Sequence, residues 1–403
     1  MFLGEWPKAD SFQDVLRVAL RFTSIRMDKG KNMSMCGNDY GKIALAGGLL
    51  TAIFLWGSSK RRGSGDILGS GDILMVFVSD RDNGNPGGTG ELYVQHLDGT
   101  GVRRLTFSPS GLGYAANWLP AFSPDGKRIA FSSTDTSTDI SSSAHRLSVI
   151  NTDGTGMQRF FLPIESSDVR SPWWSPDGKR VLFTATLGPG DNRELYTIDP
   201  DNPDDLVRLT NDPAIDDFAS YSPDGGSIVW MSNRGGVRNI WIMDSDGSNQ
   251  RQLSFSPDDH QMPVYSPDGT MISITVRWLD DTSSVDDRRF VVGVMNADGS
   301  DLRLLTDPAD ISESARWCVT RDGPQIIYHS DIGMSVQRPE YNTGNYDVYL
   351  MDPDGGRKYN LTANRPPATA SFDLWPDVQR GVSSFKKPSG ASSNRVRRLS
   401  LRK

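Results

Sequence analysis

Four histidines, His96, His145, His260 and His329, are the first place to look for acid–base or metal chemistry, and they stand far apart. None has a second histidine or a cysteine at the short spacing that puts two ligands on one metal. His260 has the richest surroundings, Asp258-Asp259-His260-Gln261, where an imidazole beside carboxylates offers ligands to a divalent cation. H-E-x-x-H, P-loop and G-x-S-x-G patterns are absent, so zinc-protease, phosphate-loop and nucleophile-elbow chemistry have no footing here. Cys36 and Cys318 lie in different regions and predict no bridge. The remaining candidates are acids and aromatics. Asp168, Asp216, Asp217, Asp259 and Glu313 fall between predicted strands, and Trp278, Tyr341 and Tyr346 fall in or beside long loops. An acidic rim with aromatics suits a basic or amphipathic protein segment, or a cation such as calcium, better than catalysis.

What positions these side chains is a repeat. Ser123-Pro124-Asp125-Gly126-Lys127 returns as Ser175–Lys179, Ser222–Gly226 and Ser266–Thr270, with a worn copy at Thr320–Pro324. The aspartates lie 52, 47, 44 and 54 residues apart. A fixed period in this range means an array of like units. Within each unit the phrase predicts a tight turn, since proline presets φ, aspartate bonds back to the backbone and glycine takes a left-handed geometry. A β-branched and aromatic run follows, such as Val181-Leu182-Phe183, then a loop, then an alternating run such as Glu194–Ile198. A second turn recurs at Asp98-Gly99, Asp153-Gly154, Asp246-Gly247, Asp298-Gly299 and Asp354-Gly355, blurred to Asp201-Asn202 in the third unit. Leu-Thr endings close the fourth strand at Leu105, Leu209, Leu305 and Leu361, with variants at Leu162 and Leu253.

Six units of four short strands follow. One such sheet cannot bury both faces alone, so the fold class is all-β: a six-bladed β-propeller of four-stranded blades, preceded by a short helical and apolar N-terminal segment. The first unit opens at Ile73 without a turn phrase before it, and Phe372–Asp377 supplies the missing strand from the far end. That strand closes the ring and removes the open sheet edge. The S-P-D-G and Asp-Gly turns then share one end of the propeller, and the inter-blade connections and longer loops share the other.

These phrases resemble the WD40-like repeat of the TolB family, P-x-W-S-P-D-G-K-x-I-A-F followed by x-I-Y-x-M-D-x-D-G and a Leu-Thr ending. Pro120–Phe131, Pro172–Phe183 and Pro263–Ile274 match the first part, and Asn239–Asp244 and Tyr346–Asp352 the second. The resemblance extends over residues 72–380. It implies a propeller that binds protein or peptide without catalysis, in an exported, periplasmic setting. It also implies a capping role for His260, since the family often sets His or Asp just before this phrase. The resemblance also implies an α/β domain ahead of the propeller, and the residues before Ile73 depart from that expectation in showing no βαβ pattern. The alternative is a carbohydrate-active enzyme similar to polysaccharide lyases built on a related propeller, with a metal site near His260. The propellers of prolyl-oligopeptidase-like enzymes are similar too, but need a hydrolase domain that the residues after the last blade are too few to form.

Charge separates the ends from the body. Formal net charge is −7, but the first 62 residues and the last 18 are basic, leaving about −19 on the body between them. Such a body repels phosphate backbones, which disfavours nucleic-acid binding by the propeller. The expected organisation is 1–42, an amphipathic and flexible segment; 43–59, an apolar signal-anchor-like helix; 60–72, a Gly/Ser linker; 73–385, the propeller; and 386–403, a basic disordered tail. Ile43–Trp56 is uncharged and spans about 21 Å as a helix, short of a ~30 Å hydrocarbon core. Gly57–Ser59 and a snorkelling Lys42 narrow the gap. Membrane anchoring through 43–59, or export, with the propeller outside the cytoplasm, is the expectation.

Overall fold

The computed structural model describes residues 73–81, 90–107, 117–134, 145–162, 168–186, 192–278, 290–331, 346–362 and 373–379. The segments 1–42, 43–59, 60–72 and 386–403, and Tyr341, lie outside them. Among the described residues every element is a strand, and no helix is long and apolar enough to cross a membrane. The first blade holds β1 (Leu74–Ser79), β2 (Glu91–His96) and β3 (Arg103–Arg104). The second is β4 (Asn117–Phe122), β5 (Arg128–Thr134), β6 (His145–Asn151) and β7 (Gln158–Arg159). The third is β8 (Arg170–Trp174), β9 (Val181–Ala185), β10 (Glu194–Asp199) and β11 (Asn202–Arg208). The fourth is β12 (Asp216–Tyr221), β13 (Ser227–Ser232), β14 (Asn239–Asp244) and β15 (Arg251–Gln252). The fifth is β16 (Asp259–Tyr265), β17 (Met271–Arg277), β18 (Phe290–Asn296) and β19 (Arg303–Leu304). The sixth is β20 (Ser312–Thr320), β21 (Gly323–Ser330), β22 (Asp347–Met351) and β23 (Lys358–Asn360).

The last strand, β24 (Asp373–Val378), pairs antiparallel with β1, Met75 opposite Val378 and Ser79 opposite Asp373, giving the order β24-β1-β2-β3. Each innermost strand touches the innermost strand of the next blade, and β20 touches β24, so the circle is closed. Packing between blades buries Trp173, Trp230, Trp317 and Tyr328 in one continuous cluster.

Both turn phrases are side-chain clamps. In S-P-D-G the serine hydroxyl donates to the aspartate (Ser175 to Asp177, 2.7 Å) and accepts from the amide five residues on (Arg180, 2.9 Å). The same pair of bonds recurs at Ser123, Ser222 and Ser266. In four of the Asp-Gly turns the carboxylate accepts from the amide and hydroxyl of the Thr or Ser two residues on, as Asp153 does from Thr155, and Asp354 accepts from the Gly356 amide alone. These bonds favour the ionised form. The Ser175 and Ser222 hydroxyls hold Asp177 and Asp224 below the ordinary carboxylate pKa. At Asp125 and Asp268 burial opposes ionisation, and the hydrogen bonds outweigh it. A carboxylate with a depressed folded-state pKa contributes stability that is complete above its unfolded value, about 3.9, and is lost as pH falls through the folded one. Asp177→Asn is therefore expected to lower the urea midpoint at pH 6 and to differ less from wild type at pH 3. An equal difference at both pH values would show that the clamp does not depend on charge.

A Leu-Thr or Leu-Ser ending closes five of the six blades. Its hydroxyl oxygen accepts from an amide of the third strand: Thr106 from Leu92, Thr210 from Leu195, Ser254 from Ile240, Thr306 from Val292 and Thr362 from Val348, all at 2.9–3.0 Å. In blades one and three a glutamate one residue earlier accepts that hydroxyl's proton and an arginine: Glu91 with Thr106 and Arg104, Glu194 with Thr210 and Arg208. In the second blade Arg146 stands where these glutamates stand and Phe161 where the threonines stand, and the guanidinium lies 5.6 Å from the phenyl centroid. The pair has changed chemistry together.

Two turn copies differ from the sequence expectation. Thr320–Pro324 is not an S-P-D-G turn. The strands stay paired up to Thr320 opposite Gly323, and Cys318 occupies the place of the clamping serine. Around Asp201 the Asp-Gly loop is replaced by a tight Pro200-Asp201 turn, so β11 pairs from Asn202 onward and runs seven residues, where four of the other outer strands have two.

Candidate functional site: the channel and its loop-end rim

The innermost strands bend at one place. Register breaks in β4, β8, β12, β16 and β20, and Leu119, Ser171, Phe218, Met262 and Ser314 there have left-handed φ of 50–59°. β24 breaks register against β1 at the corresponding position. Left-handed geometry costs a residue with a Cβ about 1–2 kcal/mol, and bulges re-aim side chains. Ser171, Phe218 and Met262 accordingly line a hollow in the channel. Two residues further on, a second layer forms: Ala121, Trp173, Ser220, Val264 and Arg316, with Asp377 in β24. Arg316 and Trp173 belong to blades three steps apart in a ring of six, and the guanidinium carbon lies 5.0 Å from the Trp173 ring centroid. Arg316 therefore reaches across the channel.

At the loop end, one basic position recurs two residues before Leu147, Leu195 and Ile240 of the third strands. His145, Arg193 and Arg238 occupy it in blades two, three and four, and each bonds an acid at the start of the next blade. His145 Nδ1 lies 3.0 Å from Asp168, Arg193 3.1 Å from Asp217 and Arg238 3.5 Å from Asp259. The backbones follow, with Val169, Asp216 and His260 amides donating to the carbonyls of His145, Arg193 and Arg238. Each of these three blades is thus tied to its neighbour twice.

The acids named from the sequence do come to this rim, in different states. Asp216 and Asp217 are fully buried. Asp216 accepts from the Trp230 indole (3.1 Å) and Arg234 (2.5 Å). Burial pushes the Asp217 carboxyl up, against the pull of Arg193, the Phe218 amide and the Thr184 hydroxyl. Asp259 is shared by Arg238 and Arg277. Asp168 is half-buried, and although burial opposes its ionisation, His145 and Arg170 hold its pKa below the ordinary value. Glu313 faces His329 at 3.3 Å, and Tyr346 packs edge-on to that imidazole. Trp278 leans on the core between the fourth and fifth blades. Among the described residues each of these acids faces an arginine or a histidine.

His260 is buried, and its Nδ1 lies 3.1 Å from the Ser254 hydroxyl. That hydroxyl donates its single proton to Asn239 (3.0 Å), so Nδ1 carries the ring proton and Nε2 is the bare nitrogen, buried without a partner. Burial lowers the imidazole pKa to about 4, against Asp258 and Asp259, which pull it up. It is a neutral strut between the fourth and fifth blades. Among the described residues no three His, Cys, Asp or Glu side chains come together as a metal group.

Sequence reasoning missed the basic side chains that hold the acids. They sit one residue before or at the start of the third strand, a position with no motif. It also missed Phe107 and Phe255, which follow the Leu-Thr and Leu-Ser endings at the loop end and are 76% and 80% exposed.

Residues 158–338 match the family model described as TolB beta propeller domain. The uncharacterized peptidase YuxL of Bacillus subtilis (strain 168) is 31% identical over 173 residues, 42% of this chain and 23% of that protein. A TolB homolog of Chlorobium luteolum is 31% identical over 172 residues, 42% of this chain and 34% of its own length. The chain thus spans about a third or less of these curated relatives. The crystal structure of TolB from Acinetobacter baumannii aligns with a TM-score of 0.57 at 21% identity, covering 78% of this chain and 68% of that one.

Proposed function

The chain is a TolB-like six-bladed β-propeller, and from that premise we propose that it is a non-enzymatic scaffold that binds a protein or peptide segment at its loop end, outside the cytoplasm. The observation that carries this is the state of the rim. Asp216, Asp217 and Asp259 are locked to arginines, and His260 is committed to Ser254, so these groups set the shape of the ring. Among the described residues the loop end offers a partner the exposed Phe107, after blade one, and Phe255, after blade four on the opposite side of the ring, with partly exposed Asp168, Arg170 and Glu313 on other blades. Aromatic anchors on a rigid frame favour protein contact. Export follows the family resemblance and the basic-flanked apolar segment 43–59. Protease protection of the natural protein in fractionated cells tests it, and a propeller shielded with the cytoplasm would refute it.

The binding surface is tested with Phe107→Ser and Phe255→Ser together. Both side chains are exposed, so the thermal midpoint should hold, stability changing by within about 0.5 kcal/mol. Recovery of whatever partner crosslinks to wild type should fall at least fivefold. Equal recovery with equal stability would remove these two aromatics from the reading.

A further inference from the structure

The crossover from the fourth blade to the fifth carries Phe255, and a titratable group fastens it. Asn239 holds the chain on both sides of Phe255. Its Oδ1 accepts the Ser254 hydroxyl at 3.0 Å and the Ser256 amide at 2.9 Å, and its Nδ2 donates to the Ser256 carbonyl at 3.1 Å. The Ser254 hydroxyl oxygen in turn accepts the Ile240 amide at 2.9 Å and the His260 Nδ1–H at 3.1 Å. His260 therefore closes the fastening from the fifth blade, and it is only 3% exposed.

Between the first and second blades the same fastening uses a group that does not titrate. Asn117 stands two residues before the left-handed Leu119, as His260 stands before Met262. Its Nδ2 donates to the hydroxyl of Thr106 at 3.2 Å, and Thr106 closes blade one as Ser254 closes blade four. A neutral imidazole meets the same demand with one N–H. A second proton has no such place. It would sit on Nε2, which is buried without a partner, and a buried charge with an unmet N–H is costly. Among the described residues four charged groups face the ring. Asp258 and Asp259 come from its own strand and the residue before it, Arg238 from just before β14 and Arg277 from the end of β17. Both arginines are engaged on Asp259. The two acids favour the charged ring, yet burial outweighs them and holds the imidazole at about 4.

We propose that a second proton on His260 unlocks this crossover: the imidazolium swings to water, Nδ1 leaves Ser254, and acid frees Phe255 from its fixed place at the loop end. The device regulates the contact proposed above and rests on that reading for its consequence alone. Once unlocked, the imidazole returns to an ordinary pKa of about 6.5. The unlocked state then binds the proton more tightly than the locked one, so it gains as pH falls from about 6.5 towards 4. At pH 5 the aspartate clamps of the turns still keep their charge, so the two responses to acid fall in separate ranges.

Hydrogen exchange of the full chain at pH 7 and pH 5, read by mass spectrometry and corrected for the intrinsic rate, measures the unlocking with no partner present. The peptide over residues 253–262 should open at least about tenfold more at pH 5, and the peptide over 117–122 should open equally at both. His260→Asn copies Asn117, keeping a donor for Ser254 without the titration, and should abolish the response. Equal opening of 253–262 at the two pH values, or a response that survives in His260→Asn, overturns the proposal. Should His260→Asn fail to fold, NMR titration of the wild-type imidazole takes its place. The ring should stay neutral with its proton on Nδ1 down to about pH 5 and should charge only as the crossover loses protection. A ring that charges with the crossover still protected overturns the proposal. The Phe107/Phe255 variant at pH 7 judges the contact by itself, so failure of the contact and failure of the device read out separately.

Discussion

Asp216→Ala lowers the stability of the propeller by about 3–5 kcal/mol, the usual cost of removing one partner from a buried ion pair. The carboxylate is fully buried and holds two groups at once, the Trp230 indole at 3.1 Å and Arg234 at 2.5 Å. The Arg234 guanidinium lies over both Trp230 and Trp241, so it cannot swing to water without unpacking the fourth blade. Alanine leaves a charge and an indole N–H without their acceptor. Asp216→Asn keeps an oxygen for one of them and should fall between. The check is the urea midpoint, with ligand and partner absent. A loss below 1 kcal/mol would mean the carboxylate is solvated. Partner binding lost at unchanged stability would return Asp216 to the role of a contact, contrary to its place in the ring.

That pair shows where sequence reading reaches its limit. Turn chemistry is local: proline, aspartate and glycine in four consecutive positions fix a geometry whatever surrounds them, so S-P-D-G and Asp-Gly mark the blade edges reliably. The closing strand was legible because β1 lacked a partner before it and Phe372–Asp377 lacked one after. The two altered turns, at Thr320 and Asp201, departed because a serine or a glycine was missing and strand pairing continued into the space. The state of the acids was not legible. Asp216 and Asp217 read as loop residues, since runs of acid signal solvent. They are strand residues because Arg193 and Arg234, 24 and 18 residues away, arrive from loops without a motif. Arg316 was hidden for a similar reason. Its layer carries Ala121, Trp173, Ser220 and Val264 in the neighbouring blades, so no pattern announces a charge there.

Gly299→Ala should cost far more than Gly99→Ala, although both glycines occupy the same step of the same turn. Their φ angles are nearly equal, +88° and +82°. The left-handed geometry alone costs an alanine about 1–2 kcal/mol, and Gly99→Ala should show little beyond that, since its Cβ would meet only the Leu361 carbonyl at 3.8 Å. At Gly299 the new Cβ would stand 2.3 Å from the Leu253 carbonyl oxygen. Backbone must move, and the backbone in question is tied down. Leu253 and Ser254 amides both donate to Ile240, and the Ser254 hydroxyl holds the Ile240 amide and His260. Shifting it strains the closure of the fourth blade and its seam with the fifth, so a total of about 4 kcal/mol is expected, in the range reserved for named structural damage. Gly323→Ala, at φ +103° with nothing near its Cβ, isolates the dihedral cost. Urea midpoints of the three variants decide the matter. If Gly299→Ala matched the other two, outer strands would be free to slide past the neighbouring blade, and the rigid ring on which the rim and the channel both depend would have to be abandoned.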